Sequence, residues 1–392
     1  MTAYDVIVIG AGPAGAAAAY TAVSAGLTVA LIDKSRFPRE KLCGGGVTGR
    51  SYSYFSQIYG TAIPPELIEA KTAVVLHAHG QELAQLADIP PMYMAMRRSF
   101  DDDMCRRALA AGAADFTARR IASIDVDAPS VTLADGTKLS ARVLIGADGV
   151  NSQVARALFG ASYDRNRVGF ALEVEAPPAP DNLSAPMRID FGAADWGYGW
   201  HFPKSGSSTI GIGGVMSRNP EIKTSMAAYL AELGHDPEMH CKGHFLPFGD
   251  FRRQAGRGAV LLAGDAAGLV DPITGEGIAY AMKSGQLAAQ AASEALTASQ
   301  PTQALRLYQR KLRPIHKALR QARLLRQMIF AQMFQASFVR AFRRSGSLRH
   351  LFMHLIAGEI EYGEFATATL RRLPRVLGQA VARRLSLKSH RS

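Results

Sequence analysis

The run Gly10-Ala11-Gly12-Pro13-Ala14-Gly15 follows directly on an apolar stretch at residues 4–9 and leads into an alanine-rich stretch at residues 16–26. Glycines so spaced serve the binding of a pyrophosphate. Gly10 makes a tight turn, Gly12 lets backbone approach the phosphates, and Gly15 lets a helix pack on a strand. The helix that opens around Pro13 and Ala14 then faces the anion with free N–H groups and partial positive charge. A second apolar run, residues 27–32, ends on Asp33 and Lys34. Asp33 stands eighteen residues past Gly15, where a carboxylate accepts hydrogen bonds from an adenosine ribose. Strand, glycines, helix, strand and acid in register mark a dinucleotide site; the glycines alone would also suit a turn in an ordinary α/β domain.

Two later segments extend this site. Ala147-Asp148-Gly149 ends an apolar strand, at the place where a turn abuts the nucleotide. Gly264-Asp265 ends another and precedes a helix near Gly277, so that Asp265 would hold a ribityl hydroxyl while backbone N–H groups meet phosphate oxygens. A nicotinamide dehydrogenase needs only the first element; the three in this order point to FAD. Taken singly, each later segment also reads as an unrelated Asp-Gly turn.

Three more stretches follow the same chain order: Phe37-Pro38-Arg39-Glu40-Lys41-Leu42-Cys43-Gly44-Gly45-Gly46, Tyr198-Gly-Trp200-His-Phe202-Pro203, and Asp271-Pro272-Ile273-Thr274-Gly275-Glu276-Gly277-Ile278. Arg97 stands three residues before Phe100-Asp101. Over about residues 1–300 the chain thereby resembles FAD enzymes with the para-hydroxybenzoate hydroxylase-type fold, and among them the geranylgeranyl reductase family. The stretches are similar to that family's segment ending in Cys-Gly-Gly, its Tyr-x-Trp-x-Phe-Pro signature and its Pro-x-x-Gly-Glu-Gly-Ile segment. Arg97 takes the place of its flavin-contacting arginine. Two residues depart from the pattern: Asp195 and Leu42 stand where prolines are usual, which leaves the substrate's identity open.

Members of the family saturate isoprenoid double bonds, and the resemblance implies the same here. An isolated trisubstituted alkene is a poor hydride acceptor, so it needs a proton in near-concert and protection from water. On this likeness Cys43 is the proton donor, since a thiol stays largely protonated at neutral pH unless a cation intervenes, and Arg39 and Lys41 are near in sequence. Gly44 and Gly45 let backbone come close to a flat ring, and Gly275, Gly277 and Ile278 belong to the loop at its pyrimidine edge. The plainer alternative makes Cys43 a small buried residue under a loop. Tyr198, Trp200 and Phe202 alternate along a strand and share a face, either as an apolar wall for a prenyl chain or as a core stripe; His201 faces the other way. One dinucleotide fingerprint leaves NADPH or NADH to visit transiently, with reduced ferredoxin or another acidic carrier as the other donor. Rival readings are a flavin monooxygenase or halogenase of the same fold, and an electron-transfer flavoprotein acting on a protein partner.

The elements that must position these residues give an α/β class, α+β overall: a Rossmann-type FAD-binding domain, an inserted antiparallel-sheet substrate domain and C-terminal helices. Residues 1–71, 96–165 and 255–300 are assigned to the first, 72–95 and 166–254 to the second, and 301–392 to a basic helical region. Asp135-Gly136 is the hairpin turn that delivers the chain to Asp148.

Three cysteines without a CxxC pair, among 392 residues, argue for a reducing compartment and against a disulfide framework or metal site. The net charge of +12 is uneven: residues 301–392 hold 19 of the 45 Lys+Arg and 3 of the 33 Asp+Glu. A general nucleic-acid role is therefore not implied, but a local anionic partner or membrane is. No run spans a bilayer, so the expected location is cytoplasmic, with peripheral contact at the inner membrane face. Residues 319–342 mix arginines, Arg326 among them, with Leu324, Met328, Ile329, Phe330, Met333, Phe334, Phe338 and Phe342. They read as one amphipathic helix, lying on an anionic bilayer or packed on the body with a solvated charged face.

Overall fold

A mixed eight-stranded sheet carries the glycine turn in the computed structural model, which describes residues 2–369. Thr2–Ile9 lies between Val29–Ile32 and Lys138–Gly146, and Ala114–Phe116 and Val260–Leu262 extend this parallel core on either side. Val6 to Ile9, Val29 to Ile32 and Val143 to Ile145 are all buried. Unbroken apolar runs of this kind are what a parallel sheet covered on both faces requires. The hairpin of Ser130–Leu133 with the start of Lys138–Gly146 turns at Asp135-Gly136, with Gly136 at φ +84°.

Pro13–Ser24 and Ile278–Thr297 cover this sheet as a tightly packed helix pair. Proline at the first helical position is tolerated because its missing N–H would be unpaired there anyway. The alanine-rich faces let the backbones approach, and a Cβ on Gly285 would lie 2.0 Å from the Ala14 carbonyl oxygen.

The second sheet has seven strands in the order Lys242–Leu246, Gly169–Ala176, Ser207–Val215, Tyr198–Lys204, Met187–Phe191, Val74–Ala78, Gln81–Leu86. It is not wholly antiparallel as expected, because Met187–Phe191 and Val74–Ala78 run parallel. No hairpin joins these two strands; they come from separate excursions of the chain, so no turn dictates their relative direction. Leu172, Val174, Ile210 and Ile212 face the helix Ile222–Glu232, while the residues alternating with them face the first sheet. A small three-stranded sheet of Gly46–Val47, Glu69–Lys71 and Met92–Met94 was not anticipated. Its strands are too short to show a period of two.

The segment read as one amphipathic helix is two, Ala304–Phe330 and Gln332–Arg344, broken where Ala331 is extended at ψ 128°. Its apolar residues are divided between core and surface. Ile329, Phe330 and Phe342 join Phe352 of the helix Gly346–Ile356 in a cluster against the second sheet, because the sheet's apolar face must be covered. Arg326, placed with the cationic face by sequence, is instead a buried strut: its guanidinium bonds the carbonyls of Phe248 and Trp196, both at 3.2 Å, and stacks on the Phe248 ring. Leu324, Met328 and Met333 stay exposed, alongside Arg320, Arg323 and Arg340. The side chain of Phe334 and residues 370–392 of the basic region lie outside the described residues. Among the described residues no helix is long and apolar enough to cross a membrane.

Gly285→Val forces a side chain into a backbone carbonyl that cannot yield. Its expected effect is a destabilisation of at least about 1–3 kcal/mol, read as a lowered thermal midpoint against Gln290→Ala, half-buried on the same helix, as a control.

Candidate active site

A cavity of about 540 Å³ runs between the two large sheets, within the size range of small-molecule and cofactor clefts. It gathers nearly all the residues singled out by sequence. Gly10, Gly12, Pro13, Ala14, Asp33, Lys34, Asp148 and Gly149 line one end; Cys43, Gly44, Gly45, Arg97, Asp265, Gly275, Gly277 and Ile278 line its middle; Tyr198, Trp200 and Phe202 line its far wall. Gly15 and Gly264 stand behind the lining. A Cβ on Gly15 would overlap the Gly10 carbonyl oxygen at 1.6 Å, and Gly264 donates its N–H to Ser284 Oγ at 2.9 Å.

At the nucleotide end Gly10 has φ +98°, and a Cβ there would reach the Ala147 carbonyl oxygen at 2.3 Å. The Asp33 carboxylate accepts from Ala11 N and Ser35 N, each at 2.8 Å, which leaves it lone pairs for a hydroxyl donor. Asp148 does more local work than expected. Its carboxylate accepts from Ser152 Oγ, Gln153 N and Val154 N, capping the helix Gln153–Phe159. Arg39, which sequence reading treated only as a neighbour of Cys43, projects over the glycine turn: a Cβ on Gly12 would lie 3.2 Å from its Nη2. That Nη2 pairs with Asp101 at 3.0 Å, while Nη1 is buried with no hydrogen-bond partner among the described residues.

In the middle, the Cys43–Gly46 turn is pinned on both sides. Gly45 has φ +81°, its carbonyl accepts from Ala95 N at 2.9 Å, and a Cβ would lie 2.4 Å from the Ala95 oxygen. A Cβ on Gly44 would meet the Trp200 indole nitrogen at 3.0 Å and the Phe202 ring at 3.2 Å. Cys43 N donates to Glu173 Oε1 at 2.8 Å, and Gly45 N donates to Cys43 Sγ at 3.4 Å. Arg97 is held by a two-pronged bond to Asp101, at 2.7 and 2.8 Å. Lys41 Nζ lies 2.5 Å from His244 Nε2. Burial pulls Lys41 down to about 8 and His244 down to about 3, so His244 is the neutral acceptor. Burial pushes the Asp265 carboxyl up.

The loop from Asp271 to Gly277 is latched from behind. Asp271 accepts from Ile273 N at 2.8 Å, Thr274 N at 3.0 Å and Tyr362 Oη at 2.7 Å. Glu276 pairs with the buried Arg50 at 2.7 Å, and Tyr198 Oη donates to the Thr274 carbonyl. At the far end Ile189, Phe191, Trp200 and Phe202 meet Phe352 and Ile356 of the helix Gly346–Ile356. Sequence reading missed Glu173, His244, Phe352 and Ile356. Glu173 alternates with Leu172 and Val174 and so reads as solvent-facing; the C-terminal pair carried no signal beyond amphipathic spacing.

These residues fit FAD. Gly10, Gly12, Gly44 and Gly45 bring backbone without side chains to the cavity lining, and Arg39 Nη1 is a buried donor with no partner among the described residues, beside the pyrophosphate turn. The chain also matches, over residues 3–174, the family model described as an FAD binding domain. It is 33% identical over 316 residues to the menaquinone reductase of Mycobacterium tuberculosis, covering 73% of this chain and 76% of that one. Against the geranylgeranyl diphosphate reductase of Rhodobacter capsulatus it is 31% identical over 322 residues, covering 76% and 77%. A geranylgeranyl bacteriochlorophyll reductase-like protein from Thermoplasma acidophilum shares the fold, with a TM-score of 0.76 at 21% identity over 90% of this chain and 96% of that one. Fold, cradle and relatives define an FAD-dependent oxidoreductase. The chain belongs to the geranylgeranyl reductase family.

Gly45→Ala places a side chain at positive φ against Ala95. Because incompatible Gly-to-Ala changes exceed about 1 kcal/mol, FAD affinity should fall by about tenfold or more, measured by flavin titration of the apoprotein.

Proposed function

We propose that this enzyme reduces isolated C=C bonds of a polyprenyl chain of geranylgeranyl type, carried by a lipid, a quinone or a pigment precursor. The observation that carries this reading is that one cavity is lined both by the glycine turn and by Trp200, Phe202, Phe191, Phe352 and Ile356. Such a wall matches a chain that has no polar handle except its head group. The relatives named for menaquinone and geranylgeranyl diphosphate reduction support the same class of substrate.

Bound reduced FAD supplies the hydride. In this reading Gly10, Gly12, Pro13, Ala14 and Arg39 hold its pyrophosphate, Asp33 its ribose and Asp265 its ribityl chain. Gly44, Gly45 and the loop at Gly275–Ile278 bring backbone to its ring. Residues 1–71, 96–165 and 255–300 serve the cofactor, 72–95 and 166–254 serve the substrate, and the C-terminal region closes the apolar end. Exclusion of water by that closure protects the reacting carbon. The electron donor is NADPH, NADH or reduced ferredoxin, visiting the flavin transiently. The exposed Leu324, Met328 and Met333, flanked by Arg320, Arg323 and Arg340, suit peripheral contact with an anionic bilayer where such a substrate resides.

Prenyl lipids from cells with and without the gene should differ by added pairs of hydrogens, visible by mass spectrometry; identical profiles would remove the proposal. In a co-sedimentation assay the protein should bind anionic vesicles at moderate salt, and Leu324→Glu with Met328→Glu should weaken that binding. Absence of binding by the unaltered protein ends the bilayer part of the reading.

A further inference from the structure

Two polar side-chain atoms beside the Cys43–Gly46 turn are buried and have no hydrogen-bond partner among the described residues: Glu173 Oε2 and Trp200 Nε1. Both residues line the cavity. They stand in one cross-strand row, since Glu173 pairs with Gly211 and Gly211 pairs with Trp200. Glu173 is 8% exposed. Its other oxygen, Oε1, is fixed by the N–H of Cys43 at 2.8 Å, so the carboxyl group is held against the turn, with Oε2 buried in the cavity wall.

A buried carboxylate oxygen without a donor disfavours the charged form, and a proton on it removes the charge. Cys43 is placed differently. Its sulfur already accepts from Gly45 N–H at 3.4 Å. That N–H therefore points towards the thiol sulfur, whereas Glu173 Oε2 receives no hydrogen bond among the described residues and belongs to a side chain that lines the cavity.

We infer that Glu173, through Oε2, is the acid that protonates the alkene, with Cys43 and its turn holding the carboxyl in place. This deepens, and rests on, the reading of the enzyme as a polyprenyl reductase. The reduced flavin supplies a hydride, with its two electrons, to one alkene carbon. The O–H bond of Glu173 breaks, a C–H bond forms at the other carbon, and the carboxylate left behind regains its proton from solvent.

The surroundings set the pH range. Burial pushes the Glu173 carboxyl up to about 7, and the neighbouring Glu175 adds to that shift. The hydrogen bond from Cys43 N, Lys204 of the strand Tyr198–Lys204 and Lys41 of the loop act in the opposite direction. His244, across the adjoining strand pair, is neutral through burial. The acid form is the active one, so the proton-dependent rate is full below this value and is lost as pH rises through it.

Glu173→Gln keeps an amide oxygen for Cys43 N but removes the transferable proton. The experiment takes FAD-loaded enzyme, reduced with dithionite under anaerobic conditions, and mixes it with geranylgeranyl diphosphate. Reoxidation by the alkene should be about 10²–10⁴-fold slower in Glu173→Gln than in the unaltered enzyme, with unchanged FAD affinity and little change in KM. The unaltered rate should fall through about pH 7, and the variant should lose this dependence. A readout independent of turnover is the infrared carboxyl band of the FAD-loaded protein without substrate, present below that pH and missing in the variant. Equal rates in the two proteins, or a pH profile that survives in Glu173→Gln but vanishes in Cys43→Ser, overturn the assignment alone. Failure of the unaltered enzyme to be reoxidised by the alkene overturns the functional reading and this assignment with it.

Discussion

Everything at the centre of this molecule depends on one close approach, that of the Cys43–Gly46 backbone to the aromatic strand Tyr198–Lys204. Gly44 comes so near Trp200 and Phe202 that a Cβ would sit at 3.0 to 3.2 Å from them. On its other side Gly45 is paired with Ala95 in a left-handed conformation. The turn is thus wedged between the end of the strand Met92–Met94 and the second sheet. That contact sets the cavity's width, because neither neighbour has a flexible side chain to give way. It also explains why the excursion after Asp33 is long: the chain must leave the parallel sheet, reach the second sheet and return.

The C-terminal region makes the wedge into an enclosure. Without the helix Gly346–Ile356 the apolar end would lack Phe352 and Ile356, and the second sheet would expose Ile189 and Phe191. Its attachment is polar as well as apolar. Arg50 receives Glu276 at 2.7 Å and Glu361 at 3.3 Å, and Tyr362 donates to Asp271 at 2.7 Å. Removing one partner of such a buried pair typically destabilises by about 3–5 kcal/mol, because the other charge is left uncompensated. These bonds tie the C-terminal segment to the same loop that presents Gly275 and Gly277 to the cavity, so closure of the apolar end and shape of the loop are mechanically joined.

What was legible in the sequence divides by range of interaction. The glycine turn, the acid at Asp33 and the Asp-Gly hairpin are local devices, whose backbone demands are written in neighbouring residues. Trp200 and Phe202 could be placed on one face by period alone. Arg326 could not be separated from the solvated arginines beside it, since its fate was decided by the Phe248 and Trp196 carbonyls brought from elsewhere in the chain. The same holds for the parallel pairing of Met187–Phe191 with Val74–Ala78. Glu173 was hidden for a further reason: a charged residue in a strand reads as solvent-facing, and only the arrival of Cys43 above it makes it buried.

The strand Ser207–Val215 shows how sequence pattern and site geometry meet. Ile210 and Ile212 alternate with Gly211 and Gly213, and the isoleucines fill the layer under the helix Ile222–Glu232. The glycines lie under Trp200, where a Cβ on Gly211 would lie 2.4 Å from its ring and one on Gly213 3.5 Å from it. Glycine within a strand weakens it, so two on one face require a compensating contact. The indole supplies it by lying flat across both positions. It thereby stands in the cross-strand row that Glu173 shares through Gly211. The missing side chains therefore position the aromatic wall and the buried carboxyl together, on the one face of the sheet that looks onto the glycine wedge.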